Sequence, residues 1–95
     1  MENKKDRIDE IQEALNDFAD FVGKRRKELG MTFEELATKT NLSPSYLFRL
    51  EKGYRGSSLK NQINILVGFN WPVEKILQYL QLIIEDHESL KRISD

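Results

Sequence analysis

The stretch TFEELATKTNLSPSYLFRLEKG, residues 32–53, decides the fold. It reads as two short helices, 33–40 and 44–52, joined by a tight turn at 41–43. Leu36, Ala37 and Thr40 share one face of the first helix, and Leu47 and Leu50 share one face of the second. That spacing is what an α-helix needs to bury a stripe. Leu42 sits in the turn and closes the wedge between them. Ala37 marks the expected point of contact, because a larger side chain there would hold the helices apart. Local chemistry sets the ends. Thr32 and Glu35 have the spacing of a capping box. Asn41 tolerates a left-handed backbone better than most non-glycine residues. Ser43 is placed to cap the second helix, Pro44 costs nothing at its first position, and Gly53 suits the residue after its end.

Working outward, residues 5–29 read as one long helix ending at Gly30. Its stripe of Ile8, Ile11, Leu15, Phe18, Val22 and Leu29 follows a heptad seam interrupted at Arg25. The favoured reading is an amphipathic helix that covers its own domain; a partner or dimer surface is the alternative. A further helix is expected over 58–69, with Leu59, Ile63, Leu66 and Val67 on its apolar face and Asn70 ending it. The last helix is expected over 72–93. Residues 73–84 hold eight apolar positions in twelve, more than one stripe needs, so two sides must be covered. One side is expected to pack on the domain. The other is expected to form a two-fold dimer interface from Ile76, Tyr79, Leu80, Ile83, His87 and Leu90. The alternative is that the N-terminal extension folds back over it within one chain.

The fold class is therefore all-α, with five helices in one domain spanning 1–95. The parts are a helical extension at 1–20, a core at 21–70 and a dimerisation helix at 71–95. A chain of 95 residues holds one small core and not two.

Composition narrows the function. With no cysteine, neither a disulfide framework nor a zinc–cysteine site can form, which fits a reducing cytoplasm. No apolar run approaches a membrane span, and MENKKDRIDEIQ is too polar for a signal peptide. Catalysis finds no support, and no cofactor or metal is expected. The single histidine, His87, stands among Glu85, Asp86 and Glu88, a weak metal set at best. GYRGSS at 53–58 lacks the lysine and the preceding strand of a phosphate-binding loop. The net charge of −1 is unevenly spread. Residues 1–20 carry 3 basic and 7 acidic side chains, 21–60 carry 9 and 4, and 61–95 carry 3 and 5. Positive charge thus gathers around the helix pair, where a nucleic-acid phosphate would meet it.

A helix pair of this kind can project its second helix into the major groove of double-stranded DNA. The segment resembles the Cro/repressor-type, or Xre-like, helix-turn-helix family over about residues 18–77. The resemblance is carried by Arg26, LG at 29–30, EELA at 34–37, NLSPSYL at 41–47 and RLEKG at 49–53. It implies a five-helix lambda-repressor-like domain, here with an extended first helix and a long last one. It also implies a DNA-binding regulator of bacterial or phage type, more often a repressor. Base readers would come from Ser43, Pro44, Ser45, Tyr46 and Arg49, with Arg49 able to bond bidentately to guanine. Phosphate contacts would come from Arg25, Thr32, Lys39, Lys52, Arg55 and Lys60, with helix N-termini adding amide donors. Arg26 and Glu51 would form the ion pair that ties the first helix to the end of the second motif helix. Two residues depart from the family pattern. Phe33 stands where glutamine usually contacts the DNA backbone. Phe48 replaces a small or polar residue and is expected to pack against the N-terminal extension. The runner-up function is a protein-interaction module, such as an antitoxin, an anti-repressor or an adaptor, with a partner on the N-terminal or C-terminal helix.

Overall fold

The computed structural model describes residues 3–94, with side-chain surroundings for 10–88. It contains α1 (Asn3–Asn16), α2 (Phe18–Glu28), α3 (Phe33–Thr40), α4 (Pro44–Glu51), α5 (Leu59–Gly68) and α6 (Val73–Ser94). All elements among the described residues are helical.

Six helices replace the five expected, because the long first helix is broken at Asp17. This residue is extended, at φ −156° and ψ 91°, and its side chain accepts the Asp20 backbone N–H at 3.1 Å. It is an N-cap, an interaction that typically contributes about 1 kcal/mol. The break folds α1 back against α2 and α6. Ile11 and Ala14 become buried, whereas Leu29 at the end of the anticipated seam is 48 % exposed. Ile8 lies outside the described side chains. One carboxylate fastens the returning helix: Glu10 accepts from both Arg25 of α2 and Lys75 of α6. Beside it, Lys24 pairs with Glu13 at 3.3 Å. The extension therefore covers part of α6 within one chain.

The core centres on Phe21, which meets Phe69 at 6.0 Å and Trp71 at 5.8 Å, both edge-on. Trp71 in turn meets Tyr79 at 6.1 Å. Val22, Leu36, Leu47, Leu50, Ile65 and Leu66 complete it. Asn70, at φ 65°, turns the chain between α5 and α6. Gly68 lets α5 approach α3, since a Cβ there would lie 2.7 Å from Thr40 Cγ2.

This packing corrects part of the expected dimer face. Ile76 and Tyr79 are core residues of the single chain, with Tyr79 set against Trp71 and Phe18 in the aromatic cluster. Leu80 and Ile83 are half-buried against that core, His87 is exposed, and Leu90 lies outside the described side chains. The exposed apolar residues of α6 are instead Val73, Leu77, Leu82 and Ile84.

Tyr79 carries a pH consequence. Its hydroxyl donates to Gln62 Oε1 at 2.6 Å, and burial pushes its pKa up to about 12. The unfolded chain releases this proton near pH 10. Stability from Tyr79 is therefore fully present below about pH 10 and is lost as pH rises toward about 12. Urea titrations across that range are expected to show a loss of about 1–2 kcal/mol, the full shift being reduced by solvent screening, that Tyr79→Phe removes. Equal slopes for the two proteins would overturn the assignment.

Candidate nucleic-acid interface

The pair α3–α4 is fixed by short-range hydrogen bonds. Thr32 Oγ1 accepts the Glu35 N–H at 3.0 Å, and Glu35 Oε1 accepts the Thr32 N–H at 2.9 Å. Asn41 is left-handed at φ 61°, and its N–H donates to Ala37 O at 2.8 Å. Buried Thr40 donates to Leu36 O and accepts the Leu42 N–H, so its hydroxyl braces the turn. Ser43 Oγ accepts the Tyr46 N–H at 3.1 Å, and Pro44 opens α4. Gly53 closes it at φ 78°. Buried Leu36, Leu47 and Leu50 then set how the helices lean on each other.

Successive residues turn by about 100° around a helix. With Leu47 and Leu50 inward, Ser45, Phe48, Arg49 and Lys52 face outward, and all four are exposed. Arg49 bonds only along its own helix, from Nη2 to Ser45 Oγ at 3.3 Å and from Nε to Ser45 O at 3.5 Å. No carboxylate among the described residues pairs with it.

Tyr46 is held differently. Its hydroxyl donates to Gly56 O at 3.3 Å and accepts from Asn61 Nδ2 at 3.2 Å, while Arg55 lies over its ring at 5.4 Å. This side chain clamps the loop before α5 onto α4, and it carries Arg55 and the start of α5 to the same side. Lys60, in the first turn of α5, is exposed beside Asn61. Asn61, whose backbone N–H donates to Ser58 Oγ at 3.1 Å in the cap of α5, had no signal in the sequence.

Two expected phosphate contacts are placed elsewhere. Arg25 is turned toward carboxylates, bonding Glu10 and lying 3.6 Å from Glu28, because the folded-back α1 brings Glu10 to it. Lys39 is exposed at the end of α3, next to Gly68 and hence at the opposite end of α5 from Lys60. At Thr32 the hydroxyl and the N–H both serve the capping box, so the free amides at that helix end are those that follow it.

Arg26 and Glu51 do form an ion pair, with Nε–Oε2 at 2.6 Å and Nη2–Oε1 at 3.1 Å. Arg26 Nη1 also donates to Met31 O at 2.8 Å. The Glu51 hydrogen bonds push the guanidinium pKa further up. Gly23 makes room for this pair, since a Cβ there would lie 3.2 Å from Glu51 Oε1. The same guanidinium stacks 3.9 Å from the Phe33 ring centroid. Phe33 meets Phe48 edge-on at 5.8 Å, and Lys52 Nζ lies 5.5 Å from the Phe48 centroid. The ring partner of Phe48 is therefore Phe33 of α3, where the N-terminal extension was the expected neighbour.

No helix among the described residues is long and apolar enough to cross a membrane. A family model described as helix-turn-helix matches residues 22–70, just over half of the chain. Neither the curated proteins nor the solved structures provide a match. The matched span runs from α2 through α5 and holds the braced turn, the outward face of α4 and the Arg26–Glu51 pair. The chain belongs to the Xre/Cro-like helix-turn-helix family of DNA-binding regulators.

Proposed function

We propose that this protein is a sequence-specific transcriptional regulator, a repressor, which binds a two-fold symmetric operator as a homodimer with α4 in the major groove. The observation that carries the reading is Arg49, exposed on the outward face of α4 and, among the described residues, bonded only to Ser45. A guanidinium without a carboxylate is free to exchange a weak serine contact for the two acceptors on a guanine edge. Ser43, Pro44 and Ser45 lie at the leading end of α4, the part that meets bases in this motif. Tyr46 positions Arg55, which with Lys52 and Lys60 contacts phosphate. Repression needs only occupancy of the operator.

Val73, Leu77, Leu80, Ile84 and His87 recur on α6 in steps of four and three, and all but the half-buried Leu80 are exposed. That stripe supports a two-fold helix–helix contact, with Leu80 and His87 retained from the expected interface.

The test is a pull-down of genomic fragments at near-physiological salt, sequenced for the wild type, Arg49→Ala and Arg55→Ala. A short two-fold symmetric site is expected. Arg49→Ala should cost about 1–3 kcal/mol and relax one base position per half-site. Arg55→Ala should weaken all sequences alike. No enrichment, or identical profiles for the two variants, would sink the reading. A second reading, a protein-interaction module, is favoured by the groove between α1 and α6, where Ile11 and Leu82 are flanked by Gln12, Gln78, Gln81 and Glu85. Salt separates the two, because binding that neutralises several phosphates weakens steeply as salt rises.

A further inference from the structure

We propose that Phe48 is a specificity-determining residue that reads a thymine C5-methyl group in the operator, its ring held in position by Phe33. The inference rests on the DNA-reading role of α4 and adds an apolar base feature that the donor-only guanidinium of Arg49 cannot recognise.

Phe48 stands on the outward face. Ser45 and Lys52 lie opposite the buried Leu47 and Leu50, with Arg49 to one side of them and Phe48 to the other. A helix docked on Ser45 and Arg49 therefore brings Phe48 to the same groove. The ring is 43 % exposed, whereas Phe21, Phe69, Trp71 and Tyr79 are buried. Its exposed part gains by leaving water when a partner covers it. The ring is also oriented in advance. It meets Phe33 at an interplanar angle of 70°, and Phe33 is pinned beneath Arg26. Arg26 in turn is held by Glu51 at the end of α4.

The surroundings select the occupant. Lys52 lies over Phe48, and Arg49 follows it on the helix. An apolar ring with a cationic rim matches a surface that offers an apolar spot between phosphates. The thymine methyl is the apolar group on the major-groove edges of the base pairs. A phenyl ring has no hydrogen-bonding atom, so it gains nothing comparable from the polar edges of guanine, cytosine or adenine.

The test uses the operator duplex recovered by the pull-down, with each thymine replaced in turn by deoxyuridine, which lacks only the methyl group. Dissociation constants are measured for the wild type and for Phe48→Ala, and the uracil-to-thymine ratio is taken at each position. A ratio cancels any loss of folded protein in the variant. One thymine per half-site is expected to give a ratio of about 4, the factor that burial of one methyl-sized group supplies. In Phe48→Ala that ratio is expected to fall to about 1, while other positions stay unchanged. A wild-type ratio near unity everywhere, or one that persists in Phe48→Ala, overturns the proposal and leaves the aromatic pair as a brace or a protein contact. Failure to recover any operator removes the DNA-reading role itself, an outcome distinct from a recovered operator that is insensitive to uracil.

Discussion

Phe21→Ala is expected to cost about 3–5 kcal/mol of folding stability, a large share of what a small domain holds, since such domains are stable by only about 5–15 kcal/mol. Phe21 is 2 % exposed and joins three parts of the chain. Its ring touches Phe18 on its own helix, Phe69 at the end of α5 and Trp71 before α6. Removing it opens a cavity that none of these can close alone, because Phe69 and Trp71 sit on either side of the Asn70 turn. The α6 helix would lose its seat along with the core. Urea unfolding monitored by helical circular dichroism measures the change. Val67→Ala is the matched control, an apolar truncation at an exposed site, expected to shift stability by under about 0.5 kcal/mol. A Phe21→Ala cost near that of the control would mean that the aromatic cluster is not the centre of the fold.

Glu51→Ala is expected to cost a similar amount, about 3–5 kcal/mol, through a different mechanism. The side chains of Arg26 and Glu51 are 12 % and 8 % exposed. Deleting the carboxylate leaves a guanidinium in poor contact with water and bonded only to Met31 O. The paired replacement Arg26→Met with Glu51→Leu removes both charges and is expected to recover much of the loss. A double-mutant cycle in urea measures the coupling. Additive losses would show that the two residues act separately. The pair also ties α2 to the end of α4, so DNA affinity in the double variant should remain below wild type even where stability recovers.

Features set by neighbours in sequence were legible before the structure. The Thr32–Glu35 box, the left-handed Asn41, the Ser43–Pro44 start and the Gly53 stop each involve a side chain and backbone within a few residues. The break at Asp17 was missed because the apolar spacing continues through it. The available signal was Asp17 itself, a good cap residue with another aspartate three positions on. The true role of Arg25 was hidden for a related reason, since its partner Glu10 reaches it only once that break has turned α1 around. Apolar residues nearly all round α6 make two covered sides legible but do not say which residues face inward, and Ile76 and Tyr79 face the core. Phe33 and Phe48 each stand out in the sequence as departures from the family pattern. Their meeting depends on how α3 leans on α4, which no spacing rule states.

The bridge from Glu10 to Lys75 also orders events during synthesis. The two residues are 65 positions apart, a delay of about 3–13 s on a ribosome adding about 5–20 residues per second. Over that interval α1 has no α6 to rest on, while the partners of the α3–α4 turn, all close in sequence, are already complete. The nascent chain thus completes the α3–α4 pair before the Glu10–Lys75 bridge can close.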